Sequence, residues 1–228
     1  MLKELMNLWK DGTIMADVLR RLGEMVEDTG YVYTQAWDVC RGRAVKNAIE
    51  ENIRHHDKEV NRGERQVRRM LVEHLSMNPG QDASGCLAVM IMAKDIERIG
   101  DHARNVYGIG KRLGEPMTGY VLFDKLDAVQ QATVPQFGRL QNAIVHSDEA
   151  VAHEILRAYQ DIKAQAKDLQ DALFSLEAST TEAVNTTLLT RFFMRINAHI
   201  GNAASGVIFP LDNIDFVSRG LRKEQESL

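Results

Sequence analysis

Apolar residues recur at alternating steps of three and four along almost all of this chain, and that rhythm limits the fold more than any other feature. Such steps draw a stripe down an α-helix, whereas a half-buried strand alternates every second residue. Leu19, Leu22, Val26, Thr29, Tyr33, Ala36 and Cys40 make the first stripe. Ile49, Ile53, His56, Val60, Gly63, Val67 and Met70 make the second, and Met92, Ile96, Ile99, Ala103, Val106, Gly110 and Leu113 the third. The fourth uses Leu126, Val129, Thr133, Leu140 and Ile144. The fifth runs from Ile155 through Tyr159, Ile162, Ala166, Leu169 and Leu173 to Leu176, and the sixth from Leu189 through Phe192, Ile196, His199 and Ala203 to Val207. No useful length alternates at period two, so no strand is predicted. Prolines, the obligatory helix breakers, number only four in 228 residues. One of them, Pro135, falls inside the fourth stripe and predicts a kink there.

Punctuation lies where the stripes stop. Asp11-Gly12-Thr13 reads as a cap and turn before the first helix, and Arg41-Gly42-Arg43 breaks the chain after it. Asn78-Pro79-Gly80 is a turn, and Asp82 or Ser84 can cap the third helix. Gly114-Glu115-Pro116 closes that helix. Ser147 or Asp148 can cap the fifth, and Ser179 to Glu182 has capping-box spacing for the sixth. The expected fold is all-α: six long helices in two tandem, similar three-helix bundles, over residues 1–115 and 116–228. A local echo supports the repeat. Arg98-Ile99-x-x-His102-x-x-Asn105 recurs as Arg195-Ile196-x-x-His199-x-x-Asn202, each in the third helix of its half.

Charge narrows the partners. The net charge of −4 gives no basic excess of the kind a nucleic-acid surface needs. Arg62, Arg65, Arg68 and Arg69 are interleaved with Glu59 and Glu64 and read as a solvated helix face. The longest apolar run, Cys86 to Ala93, falls far short of the ~20 residues a membrane span needs. Met1 to Trp9 is amphipathic, broken by Lys3 and Glu4, and reads as no secretory signal. Cys40 and Cys86 have no metal-binding spacing, so a reduced, cytoplasmic chain is expected.

One constellation can carry chemistry. Glu97 and Asp101 stand four apart, about one turn along one helix face, with Asn105 continuing the line. Helical angle places that face away from the stripe, which predicts surface carboxylates rather than a buried pair. On the second helix Asp57 and Asn61 repeat the spacing. Two such helices side by side are either an ordinary solvated face or an oxygen-donor site for a hard or borderline cation. His102 and His199 lie beside the stripes and read as hydrogen-bonded structural histidines. His56 should be partly buried and His55 exposed. No P-loop, GxSxG, HExxH or dinucleotide fingerprint occurs, so catalysis is not expected.

The run Asp95-Ile96-Glu97-Arg98-Ile99-Gly100-Asp101-His102-Ala103-Arg104-Asn105 resembles the signature of the PhoU family, and Asp57-x-x-Val60-Asn61 resembles its companion motif. The resemblance implies a non-enzymatic regulator of phosphate uptake. Such a protein joins a phosphate ABC transporter to a sensor histidine kinase at the inner face of the membrane and represses the phosphate-starvation response. It also implies a homodimer and a surface metal cluster of iron, zinc or nickel. The ligands would be Glu97, Asp101 and Asp57, with Asn61 where the family has Asp. Met194 and Ala198 stand at the matching places of the second half, so at most one cluster is expected. The alternatives are an accessory subunit of another phosphate permease, and a metal-dependent hydrolase.

Overall fold

The computed structural model describes residues 14–77 and 83–216. Six long helices account for most of them: α1 (Ile14–Cys40), α2 (Glu50–Met77), α3 (Ala83–Arg112), α4 (Phe123–His146), α5 (Glu149–Leu173) and α6 (Thr180–Ile208). Two single 3-10 turns, Met117–Gly119 and Leu211–Asn213, complete the regular structure, and no strand occurs among the described residues. The Asp11-Gly12-Thr13 turn, the Asn78-Pro79-Gly80 turn, Asp82 and the Met1–Trp9 stretch lie outside the described residues.

Short connections force neighbouring helices to run antiparallel. The first three helices pack on one another, and so do the last three. The two sets are joined broadly: α1 lies against α4, and α3 against α6. One continuous apolar cluster results, drawing on all six helices. Helices α2 and α5 are the outer members, and each buries only one narrow stripe: Ile53, Val60, Val67 and Leu71 on α2, and Ile155, Ile162, Ala166 and Leu169 on α5. By contrast α3 buries 16 of its 30 residues, because neighbours cover it on three sides.

Helix ends follow local chemistry. Asp148 caps α5 by accepting a hydrogen bond from Val151 N at 3.1 Å, and Ser147 turns the chain out of α4 with φ +50°. Ser179 caps α6 by accepting from Glu182 N at 3.2 Å. The predicted capping box is half made: the Glu182 carboxylate reaches instead to Val121 N at 2.6 Å. That contact ties the start of α6 to the loop leading into α4. Helix α4 continues through Pro135, which sits on its exposed face, where the Gln131 carbonyl left without a donor can face water. Gly42 ends the α1 turn at φ +73°, a conformation that suits glycine, and Pro116 packs where a Cβ would project.

Candidate functional site

Helices α2 and α3 bring four carboxylates together. Asp57 and Glu64 come from α2, and Glu97 and Asp101 from α3. The expectation of surface carboxylates holds for Asp101, which is partly exposed, but not for Glu97, which is 8% exposed. The angle from the apolar stripe is the wrong guide on a helix covered from several sides: Glu97 points into the seam with α2. Glu64 is buried in the same seam. Its spacing along α2 marks it only as a neighbour of the arginines there, and says nothing of its partner on α3, Lys94.

The protein's own cations hold this seam. Lys94 Nζ stands 2.7 Å from Glu97 Oε2 and 3.5 Å from Glu64 Oε1, bridging the helices. Arg104 spans Asp57 and Asp101, at 3.3 Å from each. Arg98 adds a 3.4 Å contact to Asp101, and Arg68 a 2.6 Å contact to Glu64. Burial pushes the Asp57 carboxyl above its usual range; Arg104 pulls it back, and the Asp101 and Glu97 charges raise it. Asn61 turns its amide N–H back onto the Asp57 carbonyl at 2.8 Å. The set is all oxygen and fits a hard or borderline cation by donor type. In this arrangement it is not closed up around a metal: among the described residues no three His, Cys, Asp or Glu side chains converge on a metal-sized point. A cation could enter only where Arg104 or Lys94 withdrew.

The seam between α3 and α6 holds a different cluster. His199 Nδ1 lies 2.7 Å from Asp95 Oδ1, which also accepts from Asn202 Nδ2 at 3.4 Å. His102 stacks on His199, ring centroids 5.6 Å apart, and leans on Phe192. His199 is thus the hydrogen-bonded structural histidine expected. His102 is not: its Nδ1 is buried without a partner. Burial, with His199 and Arg195 nearby, pushes the His102 imidazole down to about 4. Asp215, from the segment after α6, lies against Asp95, and burial beside that second carboxylate raises it to about 6. The part of Asp95 is legible in the sequence only as a motif letter, because its partners come from 104 and 107 residues away. A further pair, His56 Nδ1 to Asp28 Oδ1 at 2.6 Å, joins α2 to α1, with His56 half-buried and His55 exposed as expected. Cys40 and Cys86 are both buried and stand outside any disulfide.

Comparison with known proteins sets this geometry in context. Residues 19–109, which span the acidic seam, match the family model of the PhoU domain. No curated protein matches the chain in sequence. Among solved structures the chain is similar to PhoU from Pseudomonas aeruginosa, with 19% identity and TM-score 0.73 over 91% of this chain and 98% of that one. It is also similar to the phosphate transport system regulatory protein PhoU from Streptococcus pneumoniae, with 17% identity and TM-score 0.70 over 87% and 93% of the two chains. Residues 19–109 thus match the PhoU domain, and the chain shares the fold of these two PhoU structures.

Proposed function

We propose that this protein regulates phosphate uptake, acting as an adaptor between a phosphate ABC transporter and a sensor histidine kinase at the inner face of the membrane. The observation that carries the reading is the PhoU-domain match over residues 19–109, which takes in the seam that Asp57, Glu97 and Asp101 line. No helix among the described residues is long and apolar enough to cross a membrane, so contact with a transporter would be made from outside the bilayer. An adaptor needs surfaces rather than a cleft, and the described chain offers long charged helix faces. The test is deletion of the gene in cells grown with ample phosphate, read by a phosphate-starvation reporter. De-repression that the wild-type chain reverses supports the reading. A silent reporter, with loss of transport through one separate permease, would replace it with the accessory-subunit alternative.

The regulator reading carries two dependent proposals. The chain acts as a homodimer, and it takes up one metal, iron, zinc or nickel, at Glu97, Asp101 and Asp57, with Asn61 at the margin. Bound there, the metal would supply positive charge to the seam, the part Arg104 and Lys94 play in this structure. Elemental analysis of untagged protein checks this: metal equal in wild type and in a Glu97→Ala/Asp101→Ala variant removes the site. Metal content that rises in Arg104→Gln supports it.

A further inference from the structure

The seam between α2 and α3 changes character towards one end of the bundle. Glu50 pairs with Lys111, Asp57 with Arg104 and Glu64 with Lys94, so the two helices run antiparallel in a fixed register. Two turns further on, that register sets Val72 and Leu75 of α2 opposite Leu87 and Met90 of α3, and the seam turns from ionic to apolar. Leu75 and Met90 lean on the core. Val72 and Leu87 stand clear of it, 55% and 46% exposed, and Met77 at the end of α2 is 66% exposed. Arg69 and Glu73 flank them on the solvent side. Neighbouring apolar side chains left open in this way mark a contact surface rather than scattered exposure.

The chain itself supplies a partner of the right chemistry. Arg21 reaches Glu59 and Asp28 reaches His56, so α1 starts at the end of the bundle where Val72 and Leu87 lie. Residues 1–13 precede that start. Among them Leu2, Leu5, Met6 and Trp9 fall at steps of three, one and three, the spacing of one apolar helix face, with Lys3, Asn7 and Lys10 on the opposite side. Extended, the four residues Lys10 to Thr13 span about 13 Å, more than the ~10 Å between packed helix axes. We propose that Met1–Trp9 folds back across the end of the bundle and lays its apolar face on Val72, Met77 and Leu87. A tether this short holds the segment at an effective concentration in the mM range, ahead of any untethered partner. The contact braces the two helices that carry the acidic seam, two turns from Lys94.

Tryptophan fluorescence of the full-length protein tests this. The chain has two tryptophans, and Trp37 is fully buried, so subtracting the emission of Trp9→Phe from that of the wild type isolates Trp9. Acrylamide should quench Trp9 at least ~5-fold more slowly than free N-acetyltryptophanamide, because the docked ring is shielded from water. Val72→Asp/Leu87→Asp changes only exposed side chains of the surface, and Leu2→Asp/Leu5→Asp only the segment. Each should return Trp9 to the quenching rate of the free compound, with the helical circular dichroism of α1 to α6 kept as the folding control. Wild-type Trp9 that is quenched like the free compound overturns the proposal. Shielding that survives Val72→Asp/Leu87→Asp overturns it too, since the segment then rests elsewhere. Shielding lost on dilution would assign the contact to a second copy. Shielding that arises only with vesicles of anionic lipid would assign the segment to a membrane surface. Either of these outcomes also overturns the proposal, and none of them touches the phosphate reporter.

Discussion

Asp215 sits in left-handed backbone at φ +71°, with its amide donating to Ser205 Oγ at 3.2 Å and its carboxyl against Asp95. Burial and that neighbour raise its pKa from 3.8 to about 6, so the folded state holds this proton more tightly than the unfolded chain does. Linkage then fixes the sign: the contact is most stable below 3.8 and loses stability as pH rises through about 6. Asp215→Asn should raise the melting temperature at pH 7.5, by about 1–3 °C for a solvent-screened site, and leave it unchanged at pH 3.5. His102 works in the opposite direction. Its imidazole is lowered from 6.5 to about 4, so the unfolded chain takes the proton first and stability falls as pH drops from 6.5 towards 4. A His102→Gln chain, melted across that range, should show a shallower slope. In the acidic seam, Arg104 separates Asp57 from Asp101. Arg104→Gln should cost about 0.5–1 kcal/mol in urea unfolding at low salt, and less in 1 M salt, because that guanidinium is half exposed.

At the scale of elements, the stripes are legible in the sequence because an outer helix meets the core on one side only. The lines Ile53–Val60–Val67 and Ile155–Ile162–Ala166–Leu169 fall where their spacing places them. The same logic misplaces Glu97, since α3 has neighbours on three sides and a residue off its stripe still meets another helix. The bridge between Glu64 and Lys94 escapes it for a related reason: such a bridge depends on the relative register of two helices, which no spacing within one helix states. The two glycines Gly110 and Gly138 separate close packing from bare propensity. Gly110 lets α3 approach α1, for a Cβ there would stand 2.9 Å from Val39 Cγ1 and 3.1 Å from Cys40 Sγ. Valine is stiff at χ1 and cannot yield cheaply, so Gly110→Ala should destabilise by about 1–2 kcal/mol. Gly138 is exposed in mid-α4, and a Cβ added there would meet nothing within 4 Å. There Gly138→Ala should stabilise by about 0.5–1 kcal/mol through helix propensity alone. Urea midpoints of the two variants, moving in opposite directions, are the check.

For the whole molecule, the duplicated plan raises the question of whether the halves fold separately. The aromatic residues of α1 answer through what they touch. The Trp37 ring packs 5.9 Å from Phe123 of α4 and 5.3 Å from Phe193 of α6, and its Nε1 donates to Asp127 at 2.7 Å. Tyr33, fully buried, lies 5.4 Å from Phe137 and 5.6 Å from Phe193. On the other side α3 gives Met92 to Gly206 and Asp95 to His199, both on α6. The largest buried side chains of the first half are therefore closed over by the second, and a half alone would leave Trp37 and Tyr33 in water. Burying each such ring is worth a few kcal/mol, a large share of the stability of a domain this size. The full chain should then unfold in a single transition, with the environment of Trp37 and the helical signal lost at the same denaturant concentration. Phe193→Ala removes a ring of the second half from the shared core and should cost about 3–5 kcal/mol. If the halves are one cooperative unit, that cost moves both signals together, although Trp37 belongs to the first half. Two separated transitions, with Trp37 keeping its wild-type midpoint in Phe193→Ala, would show instead that each three-helix set stands alone.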